Sequence, residues 1–166
     1  GIEEGLLLSI ETLGFTQPTP IQEKAIPVLL QGTKDFIGLA QTGTGKTAAF
    51  GLPLLQLIKK EDRFPQALIV CPTRELCLQI TSDLEKFKSK SEKLSITAVY
   101  GGASIGEQIR SLKKGTHIIV ATPGRLIDLI ERKAVNLEQV EYIVLDEADE
   151  MLNMGFKEDI EFVLKN

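Results

Sequence analysis

The feature that most limits what these 166 residues can fold into is a strict alternation of short, β-rich apolar runs with stretches of helical spacing. The runs are Asp35 to Leu39, Ala67 to Cys71, Ser95 to Tyr100, His117 to Ala121 and Tyr142 to Leu145, each closed by Gly, Pro or polar turn residues. Between them the spacing predicts helices over Lys46 to Lys59, Arg74 to Lys88, Ser104 to Lys113 and Pro123 to Arg132, with two further helices before the first run. Such an order predicts an α/β fold, a mainly parallel sheet with helices on both faces. Ligands of such sheets bind beyond the carboxyl ends of the strands. The unusual residue clusters of this chain all fall there.

Composition sets the remaining bounds. With 43% hydrophobic and 25% charged residues the chain matches ordinary globular proteins, and its length fits one domain, residues 1–166, that buries about two-thirds of the surface of the unfolded chain. No apolar run nears the roughly 18 residues of a membrane span, and no basic segment followed by an apolar core opens the chain, so the expectation is a cytoplasmic, monomeric protein without a membrane partner. Cys71 and Cys77, with His117 far downstream, fit no zinc or redox spacing and read as small buried side chains. A net charge of −4 argues mildly against a general basic coat for nucleic acid, so any such contact must be local.

The strongest local signal is Ala40-Gln41-Thr42-Gly43-Thr44-Gly45-Lys46-Thr47, set between a strand and a helix. Gly43 and Gly45 let the backbone curl so that N–H groups point inward, and the helix that follows aims its positive end at the same place. Lys46 adds a charge for the β- and γ-phosphates, and the Thr47 hydroxyl is a natural magnesium ligand. Ala40 stands where the phosphate-loop pattern has Gly. After the run 142–145 come Asp146-Glu147-Ala148-Asp149: Asp146 can bind magnesium, and Glu147 can orient and deprotonate a water. Read alone, such a pair is a helix N-cap with a first-turn acid.

Asp146-Glu147-Ala148-Asp149 spells the motif of the DEAD-box RNA helicases, and the resemblance goes further. Residues 14–22, Gly-Phe-Thr-Gln-Pro-Thr-Pro-Ile-Gln, resemble that family's Q motif, and Pro72-Thr73-Arg74-Glu75-Leu76 its motif Ia. Gly101-Gly102 resembles its GG element and Thr122-Pro123-Gly124-Arg125 its motif Ib. The resemblance implies a RecA-like P-loop NTPase domain, with residues 1–34 as a helical Q-motif region, that binds ATP and Mg2+. Phe15, Gln17 and Gln22 join residues 40–47 at the nucleotide, the Gln22 amide pairing with N6–H and N7 of adenine. Lys46, Asp146 and Glu147 act in hydrolysis, Thr47 and Asp146 hold the metal, and Ala148 and Asp149 couple to a second RecA-like domain absent from these residues. Taken alone, Gln22 reads as a solvated helical glutamine.

By the same resemblance Pro72, Thr73, Arg74, Gly101, Gly102, Thr122, Pro123, Gly124 and Arg125 contact single-stranded RNA. The chemistry fits: Thr73 and Thr122 open helices whose N–H groups suit phosphates, and two arginines add charge. Backbone contacts carry no sequence information, and no aromatic residue interleaves these motifs to stack bases, so binding should not depend on sequence. The family aromatic upstream of the Q motif falls before Gly1, and its second domain, with the arginine fingers, is expected beyond Asn166. RNA-stimulated ATP hydrolysis with duplex unwinding is the expected activity of the parent protein. An ATP-gated RNA clamp is the alternative.

Overall fold

The computed structural model describes residues 1–31, 35–38, 45–88 and 93–165. They fall into two compact units, residues 1–59 with 82–93, and residues 60–81 with 94–166.

The second unit is built on a four-stranded parallel sheet of β1 (Ala67–Val70), β2 (Ile96–Val99), β3 (Ile118–Ala121) and β4 (Tyr142–Leu145), in the order β2-β3-β1-β4. All four residues of β1 and of β3 are buried, which is why both read as unbroken apolar runs rather than as alternating ones. β4 lies at the end of the row, and its Ile143 and Leu145 are exposed. Leu68, Val70, Val99, Ile119 and Ala121 form one face of the sheet and share a core with helices α6 (Pro123–Glu131), α7 (Ala148–Asn153) and α8 (Lys157–Lys165) through Leu126, Leu129, Met151, Ile160 and Val163. Helix α5 (Ile105–Lys113) adds Ile105, Ile109 and Leu112, spaced so that one stripe faces inward. Ser104 starts it by accepting the Glu107 N–H, with Glu107 in its first turn and Arg110 and Lys113 in its last, as the helix dipole favours.

His117 fastens the amino-terminal ends of the strands. It is 0% exposed, and the Ser95 N–H donates to its Nδ1 at 3.0 Å, which leaves the ring proton on Nε2, 2.9 Å from the Lys60 carbonyl. Both thiols are buried as expected, the Cys77 thiol donating to the Val120 carbonyl.

The first unit holds α1 (Glu4–Thr12), α2 (Pro20–Gln31), α3 (Lys46–Leu57) and the end of α4 (Arg74–Phe87), a helix that begins in the second unit. The expected strand over 35–39 is corrected: residues 35–38 carry no strand, and Leu39 lies outside the described residues. A strand needs a neighbour for its N–H and C=O groups, and among the described residues β1 to β4 pair only with one another. Ile37 is 91% exposed, so the run buries little of its apolar surface.

His117→Leu keeps the volume but strands the Ser95 N–H and takes the partner of the Lys60 carbonyl. Loss of two part-buried hydrogen bonds should lower unfolding free energy by about 1–3 kcal/mol, read as a fall in the urea midpoint.

Candidate functional site

The four strands stop level. Val70 pairs with Ala121 and with Leu145, and Val99 pairs with Ala121, so the segments that follow all leave the sheet along one edge. Read across the strand order, that edge carries Gly101-Gly102, then Thr122-Pro123-Gly124-Arg125, then Pro72-Thr73-Arg74, then Asp146-Glu147. Neighbouring strands lie about 4.8 Å apart, so the first three motifs share a strip about 10 Å wide.

Within the strip the motifs are bonded to one another. The Arg74 guanidinium lies 5.2 Å from the centre of the Tyr100 ring, a cation–π contact. The Arg125 Nη1 donates to the Ala103 carbonyl at 3.1 Å and to Gln108 Oε1 at 2.9 Å, and Gln108 Nε2 donates to the Tyr100 carbonyl at 3.1 Å. Thr73 accepts the Leu76 N–H at 3.2 Å and so caps α4. Thr122 occupies the N-cap of α6, its N–H bonded to the Val99 carbonyl, with no side-chain cap bond among the described residues. Pro72 and Pro123 are buried beneath, while Arg74, Gly101, Gly102 and Gly124 are exposed. Gly102 is left-handed at φ +85°, and a Cβ there would stand 3.3 Å from Arg74 Nη1.

Tyr100, expected as the last residue of its strand, stands instead beyond the strand end, where it holds Arg74 and abuts Gly101. An aromatic at the end of an apolar run reads as strand, and the strand ends one residue earlier, at Val99. Gln108 was also invisible: a lone glutamine in an amphipathic helix carries no pattern, and only its burial shows that both ends of its amide are used.

Asp146 is 4% exposed, and its N–H continues the ladder onto the Val70 carbonyl at 2.9 Å. Glu147 then turns the chain with φ 54° and ψ 49°, a left-handed conformation that costs a side-chain-bearing residue about 1–2 kcal/mol. It occupies the N-cap of α7, yet makes no side-chain cap bond among the described residues, so its carboxylate has no such bond to give up on meeting a water. Ala148 begins α7, half-buried, and Asp149 is exposed. The Cys71 thiol is held well above its ordinary pKa, first by its hydrogen bond with Cys77, then by burial, with the charges of Cys77, Asp146 and Glu147 adding to it.

In the first unit, Ala40, Gln41, Thr42, Gly43 and Thr44 lie outside the described residues. Gly45 is the N-cap of α3, with Lys46 and Thr47 its first two residues. Its φ of +81° suits only glycine, and a Cβ there would meet the Gln22 amide nitrogen and Thr19. Gln22 is 5% exposed and not solvated: its Oε1 accepts the Thr19 N–H at 3.0 Å, the backbone half of a Thr-x-x-Gln capping box, and its Nε2 donates to the Gly45 carbonyl at 3.0 Å. Phe15 packs edge-on against Phe87, 6.0 Å between ring centres. Phe15, Gln17 and Gln22 all line one cleft of about 330 Å³.

Among the described residues no cluster of three His, Cys, Asp or Glu could hold a metal alone. The hydroxyl of Thr47 and the carboxylate of Asp146 are hard oxygen donors, the kind that suits magnesium shared with phosphates and water. No helix among the described residues is long and apolar enough to cross a membrane.

This is a parallel α/β sheet whose carboxyl edge carries a row of polar motifs. The chain belongs to the DEAD/DEAH box helicase family, whose model matches residues 19–166. It is 57% identical over 159 residues to the DEAD-box ATP-dependent RNA helicase CshA of Streptococcus pneumoniae, covering 96% of this chain and 30% of the relative. It is 54% identical over 165 residues to the ATP-dependent RNA helicase CshA of Listeria monocytogenes, covering 99% of this chain and 31% of the relative. A DEAD box protein from the hyperthermophile Methanococcus jannaschii has the same RecA-like fold, with a TM-score of 0.95 and 43% identity over 99% of this chain and 45% of that one. The chain thus spans about 30% of the length of the curated relatives it matches.

Two outcomes test this geometry. Glu147→Gly should hold or raise the melting temperature, because relief of about 1–2 kcal/mol offsets the roughly 0.5–1 kcal/mol entropic cost of glycine, while Glu147→Val should lower it. Cys71 should resist iodoacetamide at pH 8 in the folded protein and react in urea; mass spectrometry of the alkylated peptide decides.

Proposed function

We propose that this chain is the nucleotide-binding, RecA-like part of an ATP-dependent RNA helicase. It binds ATP with Mg2+ and tracks single-stranded RNA by its backbone, and the parent protein uses RNA-dependent ATP hydrolysis to unwind or remodel short duplexes. The observation that carries this reading is the level row of strand ends, which sets Gly101-Gly102, Thr122 to Arg125 and Pro72 to Arg74 side by side and Asp146 next in line.

The roles follow from the residue types. Gly45, Lys46 and Thr47, with residues 40–44, cradle the phosphates, Lys46 by its charge and the start of α3 by its N–H groups. Thr47 and Asp146 are the residues that would hold magnesium, which would neutralise phosphate charge. Glu147 orients the attacking water and takes its proton. Gln22, with Phe15 and Gln17, serves the adenine: its amide, bonded to Thr19 and Gly45, keeps a second N–H and a second acceptor lone pair for the base, so the base site and the start of α3 share one side chain. In the strip, exposed glycines allow a strand to approach and Arg74 supplies charge, contacts that position a backbone without reading bases. Ala148 and Asp149 couple this part to a second RecA-like domain, the source of the arginine finger worth about 10³ to 10⁵ in rate.

In the full-length protein, ATP turnover measured by phosphate release should rise on adding an unstructured RNA. Glu147→Gln should abolish that turnover while fluorescent ATP binds within about threefold of the unsubstituted protein, as expected when only a transition-state role is removed. Turnover that ignores RNA, or an active Glu147→Gln protein, would overturn the assignment.

A further inference from the structure

We propose that Gln108, a residue of α5 outside every motif named above, is a positioning residue for RNA: its single amide fixes the Gly101-Gly102 loop and ties it to Arg125. The inference rests on the reading of the strip as the RNA contact.

A primary amide that is 7% exposed must have both ends satisfied, and both contacts of this one go to the strip. Nε2 donates to the Tyr100 carbonyl, at one end of the glycine pair. Oε1 accepts from Arg125, whose same Nη1 donates to the Ala103 carbonyl at the other end. The two ends of the loop are therefore held by two side chains that are bonded to each other. Between those ends the loop has little packing of its own. No described atom comes within 4 Å of a Cβ position on Gly101, and Gly102 is left-handed with only Arg74 near it. The shape that the loop offers to a phosphate is set at its ends, and α5 supplies the side chain that links them. An apolar residue would fill the same volume, so packing alone gives no reason for an amide here.

The test uses the full-length protein with Gln108→Met, which keeps the volume and removes both bonds, and Gln108→Glu, which keeps the acceptor for Arg125 but turns a carboxylate oxygen on the Tyr100 carbonyl. Affinity for a single-stranded oligouridylate is read by fluorescence anisotropy, and affinity for ADP in parallel. Gln108→Met should weaken RNA binding about tenfold or more, as loss of a hydrogen bond to a charged partner would, Gln108→Glu about two- to tenfold, as loss of the neutral bond to Tyr100 would, and both should leave ADP affinity within twofold. Gln108→Met added to Arg125→Ala should cost little beyond Arg125→Ala alone, since the two side chains act as one. Unchanged RNA affinity in both variants, a full additive loss in the double variant, or equal loss of ADP and RNA binding would overturn the inference. Failure of the unsubstituted protein to bind the oligonucleotide would overturn the reading of the strip itself, and the inference with it.

Discussion

The ladder that joins Val70 to both Ala121 and Leu145 governs where every other polar group of the second unit can be. β1 takes partners on both sides, so its register is passed on to β3 and β4, and through β3 to β2. Side chains alternate along a strand, and a slip of one residue between β1 and β4 would carry Asp146 off its level beside Val70. Leu68 and Val70 belong to the core face of β1, packed with Ile119, Ala121 and the helices beyond, which fixes β1 against β3, while β4 is set by its ladder with β1. The position of the acid at the sheet edge thus follows from that ladder, which its own N–H extends onto the Val70 carbonyl.

At that edge the local rules are broken in a small area. A glutamate adopts a conformation that suits glycine, a carboxylate is almost wholly buried, and a thiol is held neutral partly by the charge of those acids. Such departures persist only where the surroundings over-determine them, and they gather at functional sites. The strip beside it is different in kind. What sets it apart is that three segments distant in sequence are joined by hydrogen bonds from Arg125 and Gln108 and by the contact of Arg74 with Tyr100.

Much of this was legible in the sequence, for identifiable reasons. β4 was found to the residue because Glu141 and Asp146 bracket four apolar residues, and α5 because Ser104 and Glu107 signal its start and Gly115 its end. The burial of both cysteines followed from their lacking any partner spacing. Other features were hidden because they depend on tertiary placement. The run 35–38 has the composition of a strand but pairs with none of the four strands described. Gln22 looked like a helical surface residue or a base-reading amide; the capping box that it forms was present as Thr19-x-x-Gln22, while its bond to Gly45 joins residues 23 apart. Tyr100 was taken for strand, and the left-handed turn at Glu147 has no signature in residue type.

The central place of β1 also sets a timetable for the chain as it is made. Its last partner begins at Tyr142, about 75 residues after Ala67, and its other partner at Ile118 comes about 50 residues after. At a synthesis rate of about 5–20 residues per second, Ala67-Leu68-Ile69-Val70 leaves the ribosome roughly 4–15 s before both of its edges can be covered. For that time a wholly apolar strand of the sheet exists as an open template, with the slow pairing that long sequence separations impose. Nascent chains are then sensitive to whatever binds short aliphatic segments, and a pause in translation placed between β1 and β4 would prolong exactly the interval in which mispairing competes with folding.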